Sequence, residues 1–227
     1  MSIKEYFGDW SKVIDVKEAD ILMRKMVTSK ETICPNAKDI FKAFKCCPFN
    51  DLRLVVIGQD PYNNLRDGKP VATGIAFANS KETTEKNLSP SLKILRDSLI
   101  DFTIPHGQIN FDTSLEKWEE QGVLLLNSAL SCLAGKAGSH YLIWVQFIRN
   151  LLANLSKHFT GLVYVLMGSQ AKGFENCINK QFNHIIKVQH PAWFARTGEP
   201  FPKVLWKQVN DILIGQNGYG IKWYDEY

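Results

Sequence analysis

The stretch Leu52-Arg-Leu-Val-Val-Ile-Gly-Gln-Asp-Pro-Tyr62 decides how this chain is read. A short, β-branched apolar run ending in Gly58 has the length and composition of a buried strand. It breaks off into Gln59-Asp60-Pro61, a polar pair and a proline that start a turn. Further runs have the same form: Gly122-Val-Leu-Leu-Leu-Asn127, Gly161-Leu-Val-Tyr-Val-Leu-Met-Gly168 and His184-Ile-Ile-Lys-Val-Gln-His190. Helical periodicity fills the intervals. Asp15 to Lys30 places Ala19, Ile21, Leu22 and Met26 on one side, and Pro35-Asn36 opens a helix through Ile40, Phe41 and Phe44. Ser89-Pro90 opens another, carrying Leu92, Leu95, Leu99 and Phe102. Trp144 to His158, Ala171 to Asn179 and Pro202 to Ile214 complete the set.

Apolar strands alternating with helices predict an α/β fold. The length suits one domain or at most two small ones, and the four apolar runs argue for a mostly parallel sheet with helices on both faces. In such sheets ligands bind outside the carboxyl ends of the strands. Those ends carry Gly58-Gln59-Asp60-Pro61-Tyr62, Asn127-Ser128, Gly168-Ser169 and His190-Pro191. An acid, amides, hydroxyls and an imidazole therefore converge on one rim, where a functional site is expected.

Composition narrows the classes. The chain has 227 residues, 45% hydrophobic and 22% charged, which is ordinary for a globular protein. The uncharged stretch Gly122 to Gly135 is too short for a membrane span of about 20 residues. Lys4, Glu5 and Asp9 leave the N-terminus without the apolar run of a signal peptide. Five cysteines cannot all pair, and none sits at zinc spacing, so reduced thiols in a cytoplasmic protein are expected. A net charge of +4 permits nucleic-acid contact without requiring it.

The chain has no phosphate loop, dinucleotide fingerprint, nucleophile elbow or HExxH pair. A carboxylate and a histidine remain on strand ends, with an Asn and aromatics nearby. A carboxylate orients water or stabilises a cation, and a histidine donates to a developing oxyanion. That is the outline of a metal-free hydrolase acting on a polar heteroatom ring.

Taken in order, Val55-Val-Ile-Gly-Gln-Asp-Pro-Tyr62, Thr73-Gly-Ile-Ala-Phe77, Leu88-Ser-Pro-Ser-Leu92, Gly122-Val-Leu-Leu-Leu-Asn127, Met167-Gly-Ser169 and Gln189-His-Pro191 resemble family 1 uracil-DNA glycosylase. The flanks Asp39 to Phe44, Pro48-Phe49 and Ile221-Lys-Trp223 agree, so the resemblance spans residues 34–224. It implies a single α/β domain, residues 1–227, with a central four-stranded, mostly parallel sheet flanked by helices. It also implies hydrolysis of the N-glycosidic bond of deoxyuridine in DNA, with the base flipped out of the stack and no metal or cofactor. The implied partners are uracil-containing DNA, single- or double-stranded, and a DNA-mimicking protein inhibitor; no membrane is involved, and the enzyme is a monomer.

Residue by residue, the resemblance makes Asp60 the carboxylate that positions water and faces the sugar cation. It makes His190 a neutral donor to uracil O2. Asn127 reads the base, donating to O4 and accepting from N3–H, a pattern that cytosine reverses. Phe77 stacks on uracil, Tyr62 closes the pocket against a thymine methyl, and Gln59 belongs to a loop whose backbone N–H groups face the base. Ser91 and Ser169 grip phosphates.

Departures from the family pattern are equally specific. Asn63 stands where the family has His. The Asp60–Phe77 segment is about four residues longer, through Asn64-Leu-Arg-Asp-Gly-Lys69, and is expected to be a surface excursion that adds Arg66 or Lys69 near the DNA. In the last loop Ala192 and Ala195 replace serines. Phe194 falls at the family's leucine wedge, with Trp193 beside it and Arg196 following as a DNA contact. Two other readings share these residues. A binding module would not need Asp60 in its pocket, and a hydrolase of free nucleosides would not need Ser91 and Ser169.

Overall fold

Leu54–Gly58 (β1), Val123–Asn127 (β2), Val163–Met167 (β3) and His184–Val188 (β4) form one sheet in the order β2-β1-β3-β4, every neighbouring pair parallel. The structure is a computed structural model that describes residues 2–28, 30–103 and 109–226. The first three strands are buried at every position, as expected of apolar runs covered on both faces. β4 is the edge. Its His184 and Lys187 are exposed, and Lys187 pairs with Glu175 at 3.0 Å, a charged border that discourages pairing with another chain.

Strand alternation divides the core in two. Val55, Ile57, Leu124, Leu126, Tyr164 and Leu166 face a layer holding Trp144, Phe147, Ile148, Leu151 and Leu155 of the helix Tyr141–His158. Leu54, Val56, Leu125, Val163 and Val165 face the other way, toward Leu92, Leu95 and Leu99 of the helix Pro90–Thr103 and Leu205, Trp206, Val209 and Leu213 of Val204–Asn217. Each such fully buried side chain contributes about 1.5–3 kcal/mol relative to exposure. The side chain of Phe102, expected on the same helix face, lies outside the described residues.

The helix expected from Asp15 forms as Val16–Val27, with the Asp15 carboxylate accepting from the N–H groups of Lys17 and Glu18 at 2.9 and 3.1 Å. Three expectations change. The segment after Pro35 splits into a 3-10 turn, Ala37–Asp39, and a short helix, Lys42–Cys46. Gly74 presses against the split: a Cβ there would lie 1.8 Å from the Asp39 carbonyl oxygen. The Ala171–Asn179 helix is reduced to Ser169–Lys172 and the turn Glu175–Cys177, with Gly173 between them. The loop after His190 is instead a helix, Pro191–Thr197, with Pro at its first position and Gly198 at φ 75° closing it. That Pro-first, Gly-last asymmetry was visible in the sequence.

Candidate active site

The carboxyl ends of β1 and β2, with His190 just after β4, line a cavity of about 330 Å³. Eight of the ten residues singled out from sequence line it: Gln59, Asp60, Tyr62, Phe77, Ser91, Asn127, His190 and Arg196. Asn63 lines it as well. Among the described residues no cluster of three or more His, Cys, Asp or Glu side chains could hold a metal ion.

Asp60 follows β1 directly. Its Oδ2 accepts from Gly138 N–H at 2.9 Å and from the Gln59 amide at 3.3 Å. Its Oδ1 is buried and has no protein partner. Burial raises the carboxyl above its ordinary value, opposed by the Gly138 and Gln59 bonds and by His140. The Gly138 turn is held in place by a buried relay that sequence reasoning missed. Trp144 Nε1 donates to Ser131 Oγ at 2.8 Å, and Ser131 Oγ lies 2.9 Å from His140 Nδ1.

Asn127 closes β2 in register with Gly58, and only 8% of it is exposed. Gly58 is what lets its amide and the Phe77 ring both close on the strand end. A Cβ at Gly58 would lie 2.6 Å from Asn127 Oδ1 and 2.7 Å from Phe77 Cζ. A glycine ending an otherwise β-branched strand is the sequence signal for such an approach. Phe77 itself adopts φ 67°, a left-handed conformation costing about 1–3 kcal/mol in a non-glycine residue. The Tyr62 hydroxyl donates to the Phe77 carbonyl at 2.7 Å, so one bond fixes both the strained backbone and the Tyr62 ring.

Ser91 is buried in the first turn of Pro90–Thr103. That helix start is clamped by Asn79, another residue the sequence did not flag. Its Nδ2 donates to Ser89 Oγ at 2.8 Å, and its Oδ1 accepts from Ser89 N–H at 2.7 Å.

His190 caps the helix Pro191–Thr197, its Nδ1 accepting from Ala192 N–H at 3.2 Å. Burial, and secondarily the Arg196 charge, lower its pKa from 6.5 to about 4. A neutral imidazole that accepts at Nδ1 carries its proton on Nε2, as a neutral donor requires. Gly168, at φ 92°, backs it: a Cβ there would lie 3.0 Å from His190 Cβ.

The lowered pKa gives a stability prediction. Unfolding restores the ordinary imidazole, so the unfolded chain binds a proton that the folded chain refuses. The contribution is complete above pH 6.5 and is lost as pH falls toward 4. Its limiting slope is about 1.4 kcal/mol per pH unit. Urea unfolding of the wild type should therefore weaken across this window relative to His190→Gln. Asp60, raised rather than lowered, cancels in the comparison. Parallel curves would contradict the burial of a neutral imidazole.

Two sequence expectations fare differently. Ser169 begins its helix at the end of β3 but is exposed and off the cavity wall. Phe194, expected as a wedge into DNA, is only 7% exposed. It belongs to the core, edge-on to Phe201 at 5.1 Å and to Trp193 at 4.9 Å. The helical winding of 191–197 explains the correction, because it turns Phe194 inward while Ala192 and Arg196, one turn apart, line the cavity. Trp193, 37% exposed, is the aromatic this helix offers outward.

Comparison with known proteins agrees with this architecture. Residues 44–213 match the family model described as the uracil DNA glycosylase superfamily. The chain is 32% identical over 224 residues to uracil-DNA glycosylase of Vibrio campbellii (strain ATCC BAA-1116), covering 97% of this chain and 91% of the relative. It is 38% identical over 164 residues to that of Escherichia coli O81 (strain ED1a), covering 71% and 67%. In fold it resembles the crystal structure of mimivirus uracil-DNA glycosylase, with TM-score 0.72, 20% identity and coverage of 98% and 93%. A crystal structure of mimivirus UNG Y322F in complex with UGI aligns with TM-score 0.74 and 22% identity, covering 92% and 80%. By the extent of the family match and the identity to these relatives, the chain belongs to the uracil-DNA glycosylase superfamily.

Proposed function

We propose that this chain is a family 1 uracil-DNA glycosylase of DNA repair, a single domain over residues 1–227 acting as a monomer. It hydrolyses the N-glycosidic bond of deoxyuridine in DNA, releasing uracil and leaving an abasic site. The observation that carries the reading is the meeting of Asp60, Phe77, Asn127 and His190 in one cavity, with Asp60 Oδ1 buried and free to accept. The flipped uracil stacks on Phe77 and pairs with the Asn127 amide. As the bond to the sugar lengthens, negative charge gathers on the base and positive charge on the sugar. Nε2–H of His190 donates to O2, and the Asp60 carboxylate faces the cation across a low-dielectric space that strengthens the attraction. Asp60 Oδ1 then orients the water that adds to the sugar carbon.

The test is direct: uracil-containing oligonucleotides, single- and double-stranded, are incubated with the protein and cleaved with alkali at abasic sites. Cleavage confined to uracil positions is expected, and its absence from both substrates would refute the assignment. Tyr62→Ala should admit thymine, because it removes the ring that the Phe77 carbonyl holds over the pocket. Thymine release no different from the parent would count against the steric role.

Ser91, on the cavity wall, and Ser169, exposed at the end of β3, would grip phosphates on the two sides of the flipped nucleotide. The wedge role passes from Phe194 to Trp193, whose exposed ring is braced on the buried Phe194. A wedge fills a gap in a stacked duplex, so Trp193→Ala should slow release from duplex DNA more than from single strands. Equal slowing would make Trp193 a general stacking platform. Phe194→Ala should act through the fold, destabilising by about 3–5 kcal/mol as large core truncations do. A DNA-mimicking protein inhibitor would meet the same rim. Five unpaired thiols fit action in the reducing cytoplasm.

A further inference from the structure

The chain leaves the cavity wall at Asn63 and rejoins it at Ala72, both lining residues. Between them it folds into a β-hairpin that therefore stands at the mouth. Leu65–Arg66 pairs antiparallel with Lys69–Pro70, Val71 N–H closes on the Asn64 carbonyl at 3.1 Å, and Asp67 and Gly68 turn at φ 49° and 72°. Both central residues are left-handed, the tight type I′ turn that matches strand twist. Arg66 Nη2 donates to the Asn87 carbonyl at 2.7 Å, fastening the hairpin to the turn that leads into the Ser91 helix. The hairpin is thus a fixed part of the rim.

Its charges are arranged at a cost. Arg66 and Lys69 are direct cross-strand partners, a like-charge pair that destabilises an isolated ribbon. Among the described residues neither forms a salt bridge, and Arg66 is met only by a neutral carbonyl. Lys69 is exposed. Two cations held side by side beside a cavity are offset by an anion that arrives with the cavity's ligand. Resting on the proposed glycosylase reading, we infer that the hairpin is an added phosphate-contacting element, with Lys69 and Arg66 engaging the DNA backbone next to the nucleotide in the cavity. Asp67 at the tip opposes that contact and sets its strength.

The experiment measures binding of uracil-free DNA by fluorescence anisotropy across a range of salt, which is independent of catalysis. Lys69→Gln should raise Kd several-fold and flatten the slope of log K against log salt by about 0.7 for single strands or 0.9 for duplex, one phosphate contact. Asp67→Asn should do the reverse, tightening binding by about 2–5-fold, the worth of an exposed charge contact. Asn-Gly is a preferred type I′ pair, so this variant keeps the turn, and a gain in affinity cannot come from damage to the fold. Unchanged Kd and slope in both variants would overturn the inference and leave the cation pair to another partner, such as an acidic protein surface. Uracil release by the wild type is scored separately. Its absence would refute the glycosylase reading, whereas the slopes alone judge the hairpin.

Discussion

Asp60→Asn should lower the single-turnover rate of uracil release by about 10³-fold or more while leaving binding to uracil-containing DNA largely intact. The wild-type carboxylate uses Oδ2 to accept from Gly138 N–H and the Gln59 amide, which leaves Oδ1 as an acceptor. An asparagine fits the same space, but the two donors fix its orientation. Its oxygen must face Gly138 and Gln59, so its NH₂ group occupies the place of Oδ1 and presents donors where water needs an acceptor. The negative charge opposite the sugar cation is lost as well. Both changes act on the transition state and neither on the base-reading groups, so the loss belongs in the rate. The pH profile supplies a second signature. Burial raises Asp60, so the wild-type rate should fall on acidification above the ordinary carboxylate range. The residual rate of the variant should lack that limb. A near-wild-type rate in Asp60→Asn would remove Asp60 from the mechanism.

Much of this site was legible because strand ends in a parallel sheet converge by topology. Once four apolar runs were recognised, Asp60, Asn127 and His190 had to share a rim, and the cavity holds all three. What the sequence did not disclose is how each is held. The Gly138 bond to Asp60 joins residues 78 positions apart, and the Ser131–His140–Trp144 relay behind it is buried side-chain chemistry with no periodic signal. Asn79 reads in sequence as an ordinary turn residue, yet it is fully buried and clamps the Ser91 helix. Phe194 failed for a different reason. Motif alignment fixes position along the chain but not rotation about it, and a helix that begins at Pro191 turns that ring into the core.

Gly58→Ala is expected to separate fold from function. One methyl group is added on a fully buried strand end, 2.6 Å from Asn127 Oδ1 and 2.7 Å from Phe77 Cζ. Contacts this short must be relieved, and the backbone is the stiffer partner. Gly58 is anchored by its carbonyl, which accepts from Ser128 N–H at 3.1 Å and from Ser128 Oγ at 2.8 Å, and its strand lies between two parallel neighbours. The side chains will yield instead, because each can turn toward the cavity with little loss of packing. Stability should therefore fall only within the overpacking range of about 1–3 kcal/mol. The groups that turn are the amide proposed to read uracil and the ring proposed to stack on it. Phe77 has little freedom to compensate, since its backbone is already left-handed and tied to Tyr62. Pairing and stacking geometry would both be lost, and a displacement near 1 Å costs about 10²-fold in positioned chemistry. The expected result is a folded protein, by near-ultraviolet circular dichroism and a modest drop in Tm, with kcat/KM for uracil release down by about 10²-fold or more. Wild-type activity in a folded Gly58→Ala would mean that the Asn127–Phe77 approach is not what the reaction uses.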